Sequence, residues 1–211
     1  MDDWVLSMAG FQKKPIIFLV SAPSGAGKTT LCDLLKEEFG DSLYALVTAT
    51  TRPMRPGEVE GQSYFFLTPQ EFARRLKAGG FWEHATVHGH SYGSPRAPVF
   101  QALAKGQDVL MNLDVQGAAS VRAALAATPA APPLVDIFVA PPSLDDVCAL
   151  RARLTKRGQD SAEVIERRLQ QAAAELQRWR EYSYLIINDD LETAHDQIRA
   201  IVLAERARIR K

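Results

Sequence analysis

The segment Ala22-Pro23-Ser24-Gly25-Ala26-Gly27-Lys28-Thr29-Thr30 carries the sharpest chemical signal in the chain. Gly25 and Gly27 free the backbone to turn so that successive N–H groups point at one anion. A helix starting at Lys28 would add the positive end of its dipole. Lys28 can reach the β- and γ-phosphates of a nucleoside triphosphate, and the Thr29 hydroxyl can bind Mg²⁺. The pattern is the phosphate-binding P-loop except at its first position, where Ala22 replaces glycine. That departure costs little, because the later glycines make the tightest part of the turn. The plain alternative is a glycine-rich turn with an incidental lysine.

A P-loop specifies a nucleoside triphosphate, not what is done with it. A second cluster runs Thr48-Ala-Thr-Thr-Arg52-Pro-Met-Arg55-Pro-Gly-Glu58, followed by Gly61 and Tyr64-Phe-Phe66. Arg52 and Arg55 flank a rigid proline on a loop. Both can face one site, and planar guanidinium forks suit a phosphate. The alternative is a pair of solvated surface arginines.

These residues need elements to hold them. Ile16-Ile-Phe-Leu-Val20 is a continuous apolar run, the pattern of a strand buried on both faces. Lys28 to Phe39 reads as an amphipathic helix with Leu31, Leu34, Leu35 and Phe39 on one side, and Gly40 stops it. The alternation resumes with a strand at Asp108 to Asp114, a helix at Gly117 to Ala127 and a strand at Val135 to Ala140. A helix at Leu144 to Leu154, capped by Ser143, follows. Tyr184 to Ile187 is a fourth strand, and Leu191 to Arg210 is a closing helix. Thr128 to Pro133 is a proline-rich loop. The expected fold is therefore α/β, a P-loop core with a parallel sheet flanked by helices. Residues 48–94 break the rhythm with short strands at Tyr64 to Phe66 and Trp82 to Val87. A helix between them opens on a capping box at Thr68-Pro-Gln-Glu71. They read as an inserted mixed β lobe, and residues 143–170 as a helical, arginine-rich insert. Residues 15–47, 95–142 and 171–211 form the core, and residues 1–14 an N-terminal arm.

The composition excludes several classes. Among 211 residues, 25 basic and 25 acidic side chains cancel, unlike a domain that holds nucleic acid by bulk charge. Cys32 and Cys148 are too few for a disulfide framework or a metal cluster and read as two buried, reduced thiols. The longest apolar stretch, Pro15 to Val20, is far short of the ~20 residues of a spanning helix. Met1-Asp2-Asp3 lacks the positive start of a secretion signal. The expectation is a cytoplasmic chain with no membrane or nucleic-acid partner; its oligomeric state is not legible. His84, His88, His90 and His195 show no metal spacing and read as structural or surface residues.

The ordered motifs resemble the bacterial guanylate kinases from Ile16 to about Arg206. The resemblance rests on Ser21 to Lys28, Thr50 to Glu58, Gly61 through Phe66, Phe81-Trp-Glu83-His, Tyr92-Gly93-Ser94 and Leu113-Asp-Val-Gln-Gly117. Pro141-Pro-Ser143, Arg157-Gly158 and Ile187-Asn-Asp-Asp190 extend it. It implies ATP-dependent phosphorylation of GMP with Mg²⁺, and three parts: a core, a GMP-binding lobe at 48–94 and a lid at 143–170. It also implies that Arg52, Arg55, Tyr64 and Tyr92 clamp the GMP phosphate. Thr48, Glu83, Gly93, Ser94 and Asp114 would form the guanine pocket, Arg153, Arg157 and Arg168 would close over the transferring phosphoryl group, and Asn188 would approach adenine.

Elementary chemistry supports the base assignment. Guanine presents two adjacent donors, N1–H and the exocyclic amino group, which one carboxylate such as Glu83 can accept. Adenine would set a lone pair against it. A hydroxyl such as Ser94 can donate to O6. The arginines Arg151, Arg153, Arg157, Arg167 and Arg168 could all be a solvated helix face. Phosphoryl transfer gives Arg153, Arg157 and Arg168 a reason to be more, because charge develops on three equatorial oxygens. Arg151 and Arg167 read as surface. One departure concerns the metal: where the family commonly has aspartate, this chain has Asn112, which keeps an oxygen and loses the charge. Two rival functions are a scaffold module that binds phosphopeptides in the lobe, and a P-loop kinase with another phosphorylated acceptor. The intact Lys28 and Thr29 argue against the first, and Glu83 with Ser94 against the second.

Overall fold

The computed structural model describes residues 14–87, 89–144, 147–157 and 162–210; the expected N-terminal arm up to residue 13 and His88 lie outside them. In chain order the first elements are β1 (Ile17–Ser21), α1 (Lys28–Phe39), β2 (Leu43–Ala45), β3 (Ala49–Thr50), β4 (Phe65–Phe66) and α2 (Pro69–Lys77). Then come β5 (Phe81–Val87), β6 (His90–Pro95), α3 (Arg96–Ala104), β7 (Asp108–Leu113), α4 (Val115–Ala126) and β8 (Leu134–Ala140). The chain continues with α5 (Cys148–Arg157), α6 (Ala162–Leu176), β9 (Tyr184–Ile187) and α7 (Leu191–Ala207).

Five parallel strands in the order β2-β7-β1-β8-β9 form the core sheet. Strand alternation sorts β1 between two hydrophobic clusters. Phe18 and Val20 pack with Leu31, Leu35, Ile198 and Val202 on one face. Ile17 and Leu19 pack with Val99, Val121 and Leu125 on the other. All four β1 side chains are fully buried, each worth ~1.5–3 kcal/mol of burial. This two-sided cover is why the run has no polar positions. Because β1 lies between β7 and β8, its carboxyl end opens on the crevice where such sheets hold ligands.

The second sheet is mixed, in the order β4-β3-β6-β5, with β3 and β4 parallel and the other pairs antiparallel. Its own small core stacks Phe72 of α2 on Phe81 of β5, ring centroids 4.5 Å apart. Gly93 leaves room for them: a Cβ there would lie 2.9 Å from Phe81 and 3.1 Å from Phe72.

Several boundaries differ from expectation. Helix α4 starts at Val115, two residues early, because Asp114 accepts from the Gly117 N–H as its N-cap. Helix α5 starts at Cys148, so Ser143 stands too far upstream to cap it. Thr68 caps α2 as expected, but Glu71 pairs with Arg74 and Arg75 instead of reaching back to the cap. Cys148 is exposed at the start of α5, and only Cys32 is buried. Strands β2, β3 and β6 and helix α3 go beyond the sequence expectations. Strand β6, His90-Ser-Tyr-Gly-Ser-Pro95, has no apolar run and is a strand because β3 and β5 pair with it. Among the described residues, no helix is long and apolar enough to cross a membrane.

Candidate active site

The loop between β1 and α1 turns on Gly25 at φ 89° and Gly27 at φ 90°, a region that costs side-chain-bearing residues roughly 1–2 kcal/mol. Packing crowds a side chain as well, most severely at Gly27. A Cβ on Gly25 would press to 3.3 Å from Leu154, and one on Gly27 to 2.2 Å from the Asn188 amide nitrogen. Ala22 and Ala26 are buried, and neither has a positive φ. That is the physical reason the loop accepts alanine at position 22. Helix α1 has no acidic residue in its first turn and no side-chain cap, so its leading N–H groups are offered to an anion.

Lys28 Nζ donates to the carbonyl of Leu113 at the end of β7. Burial lowers the Lys28 pKa, opposed by Cys32, Asp114 and Glu175 nearby. Burial pushes the Cys32 thiol up to about 12, so it stays protonated and is no nucleophile at neutral pH. Around Lys28 opens a cavity of about 620 Å³ lined by Pro23, Ser24, Thr29, Thr30, Asp114 and Arg153, among others.

A second cavity, about 350 Å³, lies between the core sheet and the mixed sheet and is lined in part by Thr29, Lys36, Thr48, Tyr64 and Asn112. Thr29, in the first turn of α1, borders both. Thr48 is held by its carbonyl, which accepts from the Phe65 N–H at 2.9 Å. Arg52 lies beside the Tyr64 and Phe66 rings, 5.4 and 5.8 Å from their centroids, and Tyr64 meets Tyr92 edge-on at 6.1 Å. The Arg52 fork is taken by Glu58, at 2.6 and 3.0 Å. The Arg55 side chain is exposed.

Glu83 of β5 and Ser94 of β6 face one another: the buried Ser94 hydroxyl donates to Glu83 Oε1 at 2.6 Å. Burial, chiefly, raises the Glu83 pKa, and Asp114 adds to the rise while Ser94 and His84 oppose it. Gly117 lets the carboxylate-bearing residues converge, since a Cβ there would sit 3.3 Å from Asp114 Oδ1 and 3.4 Å from Glu83 Cγ.

Of the expected lid arginines, Arg153 donates to the Asn188 carbonyl at 2.7 Å. Arg168 is half-buried on α6, and the Arg157 side chain lies outside the described residues. Arg151 is paired with Glu166 of α6 at 2.8 Å, both half exposed, and Arg167 is exposed. Asn188 is spent on the loop itself. It is 4% exposed, and its amide donates to the Ala26 carbonyl at 2.7 Å. Placed one residue past the end of β9, that side chain braces the loop.

Sequence reasoning names Glu58 and Gly117 in their motifs without giving either a partner, and misses Glu175. Glu175 sits on α6, its pKa raised first by burial and then by the nearby Asp114 while Lys28 opposes the rise; nothing local in the sequence signals it. No group of three or more His, Cys, Asp or Glu side chains is gathered for a metal among the described residues. Thr29, Asp114 and Asn112 supply hard oxygen donors around the loop. That set fits Mg²⁺, which binds through one or two carboxylates and the substrate's phosphates.

Residues 12–205 match the sequence model of the family described as guanylate kinase. A guanylate kinase from Novosphingobium aromaticivorans is 46% identical over 93% of this chain and 85% of its own. One from Hahella chejuensis is 46% identical over 92% and 88%. The crystal structure of guanylate kinase from Anaplasma phagocytophilum superposes with a TM-score of 0.67 at 31% identity, covering 93% of this chain and 89% of its own.

Proposed function

The chain belongs to the guanylate kinase family, and from that premise we infer how its two cavities divide the reaction ATP + GMP → ADP + GDP. The cavity around Lys28 takes the ATP phosphates, and the cleft toward the mixed sheet takes GMP. The observation that carries this division is the Glu83–Ser94 pair, an acceptor and a hydroxyl side by side on β5 and β6, with Glu83 converging at Gly117 on Asp114, which lines the cavity around Lys28.

On this reading residues 48–94 are the GMP lobe and 143–170 the lid. Arg52, Arg55, Tyr64 and Tyr92 hold the GMP phosphate; Thr48, Glu83, Gly93, Ser94 and Asp114 hold guanine. Glu83 accepts both guanine donors, and Ser94 turns its hydroxyl to O6. The residues of the loop, Ala22 to Thr30, surround the ATP phosphates, and Lys28 follows the charge of the transferring group. Arg153, Arg157 and Arg168 add cations as the lid closes. Asn188 serves ATP by holding the loop rather than by reading adenine. Thr29, with Asp114 or Asn112, would hold Mg²⁺, which when bound spreads the charge on the phosphate oxygens.

No nucleophile from the protein is needed. An oxygen of the GMP phosphate forms the new P–O bond to the γ-phosphorus as the bond to ADP breaks. The protein contributes position and charge. Closure of lobe and lid keeps water from the same phosphorus. The proposed setting is the cytoplasm.

A coupled assay of ADP formation with GMP, AMP, CMP and UMP tests the reading. Turnover with GMP alone is expected. Comparable turnover with AMP would overturn the base assignment, and none with any nucleotide would overturn the phosphoryl transfer itself.

A further inference from the structure

The proposed phosphate clamp contains a carboxylate, which electrostatics alone would keep away from a phosphate. Glu58 takes Nη1 of Arg52 at 3.0 Å and Nη2 at 2.6 Å, an end-on, two-point pair. The pair is sheltered, with 10% of the Arg52 side chain and 20% of the Glu58 side chain exposed. Glu58 Oε2 also accepts from the Arg55 N–H at 2.7 Å. The same residues close a turn, the Glu58 N–H donating to the Arg55 carbonyl at 3.1 Å, with Gly57 at φ 84°. One carboxylate therefore ties the guanidinium of Arg52 to the backbone of Arg55.

Two roles are open to such a group. It could compete with an incoming phosphate, or it could position the arginine for one. The geometry distinguishes them. A guanidinium has five N–H donors in a planar fork. The end-on pair uses one hydrogen on each terminal nitrogen, and Nη1 also donates to the Pro53 carbonyl at 2.7 Å. The side edge, Nε–H with the outer Nη2–H, is not needed for any of these bonds. The Tyr92 hydroxyl, close enough to raise the Arg52 pKa together with Glu58, belongs to the same proposed clamp. The side edge is itself a two-point site for an oxyanion. The Glu58 carboxylate is also held by the Arg55 N–H, so it cannot swing away without losing that bond. Arg52 and Arg55, with Pro53 between them, would otherwise be two long side chains that lose rotamer freedom on binding.

Given that Arg52 holds the GMP phosphate, we propose that Glu58 is a positioning residue: it holds the Arg52 fork end-on, presents its Nε edge to the phosphate, and fixes the Arg52-to-Arg55 spacing. It does not touch the substrate. Arg52, ahead of the Arg55 N–H, holds the Glu58 carboxyl below its ordinary pKa, so the brace stays charged at neutral pH.

The test measures affinity for GMP and for guanosine, the same base without a phosphate, by competition on wild type, Arg52→Ala, Glu58→Ala, Glu58→Gln and the Arg52→Ala/Glu58→Ala double variant. Glu58→Ala should weaken GMP by about tenfold and leave guanosine unchanged, and it should have almost no further effect once Arg52 is gone. Glu58→Gln, which keeps one acceptor oxygen, should recover part of the loss. Tighter GMP binding in Glu58→Ala would make Glu58 a competitor and overturn the proposal. So would equal losses for GMP and guanosine, which would mean that the lobe itself had been damaged. Unchanged GMP binding in Glu58→Ala, with Arg52→Ala weakened, would sink the role of Glu58 alone. If Arg52→Ala binds GMP normally, the phosphate assignment of Arg52 falls first.

Discussion

The side-chain amide of Asn188 donates to the carbonyl of Ala26 at 2.7 Å, joining two residues 162 positions apart. The backbone carbonyl of Asn188 accepts from Arg153 at 2.7 Å. One residue at the end of β9 thus touches both the P-loop and the first helix of the proposed lid. Removing the amide leaves the Ala26 carbonyl buried without its donor. Asn188→Ala should cost ~1–3 kcal/mol of stability and raise the KM for ATP more than that for GMP. Gly27→Ala should be worse, because its Cβ would lie 2.2 Å from the same amide at φ 90°. Chemical unfolding and steady-state kinetics check both. Wild-type stability and ATP KM in Asn188→Ala would mean that the brace does nothing.

Lys28 is anchored at the Leu113 carbonyl and set beside the loop. Lys28→Ala should leave the circular dichroism spectrum unchanged and remove ~3 kcal/mol of transition-state stabilisation, roughly a hundredfold in kcat. Near-normal turnover would refute the catalytic assignment of the loop lysine.

Base choice and phosphate affinity should separate. Glu83→Gln replaces one acceptor oxygen with an NH₂ donor that meets a guanine donor. A loss of ~2–4 kcal/mol in kcat/KM for GMP is expected, with little loss for AMP. Arg52→Ala should weaken both nucleotides alike, since each offers the same phosphate. If Glu83→Gln weakens GMP and AMP equally, this carboxylate does not read the base.

The buried Glu83 carboxyl also dictates a pH dependence. Its pKa is raised from 4.5, first by burial, so it protonates at a higher pH than an exposed glutamate. GMP binding needs the ionised form and should fail as pH falls through that raised value. The stability effect runs the other way. A raised folded pKa stabilises the protein below the ordinary value, and that contribution is lost as pH rises through the folded one. Glu83→Gln should therefore be the more stable protein at neutral pH, with the difference closing in acid. Unfolding titrations at several pH values measure this; a variant less stable at neutral pH would contradict it.

Asn112 borders the cavity that contains Thr29. Asn112→Asp adds a carboxylate where Mg²⁺ would gain from one. It should change the Mg²⁺ dependence of activity more than the affinity for GMP. A large change in GMP affinity at constant Mg²⁺ dependence would place residue 112 beside the other ligand.

The elements with a local signature are legible in the amino-acid order alone. Ile17 to Val20 announces a strand covered on both faces, and Gly25 and Gly27 before Lys28 announce an anion-binding turn. Lys28 to Phe39 matches the observed helix at both ends. Each of these rests on interactions within about a dozen residues, the range over which periodicity and turn chemistry act. The partners of the site residues have no such signature. Nothing near Asn188 says that its amide will be spent on Ala26, nothing in Glu175 points to Lys28, and Gly117 looks like any helix glycine until Asp114 and Glu83 converge beside it. Those relationships come from the sheet order, which gathers the carboxyl ends of β1, β7 and β9 at one edge, and from the pairing of β5 with β6, which sets Ser94 against Glu83. A contact across many tens of residues depends on which strands become neighbours, and only burial of the whole core decides that.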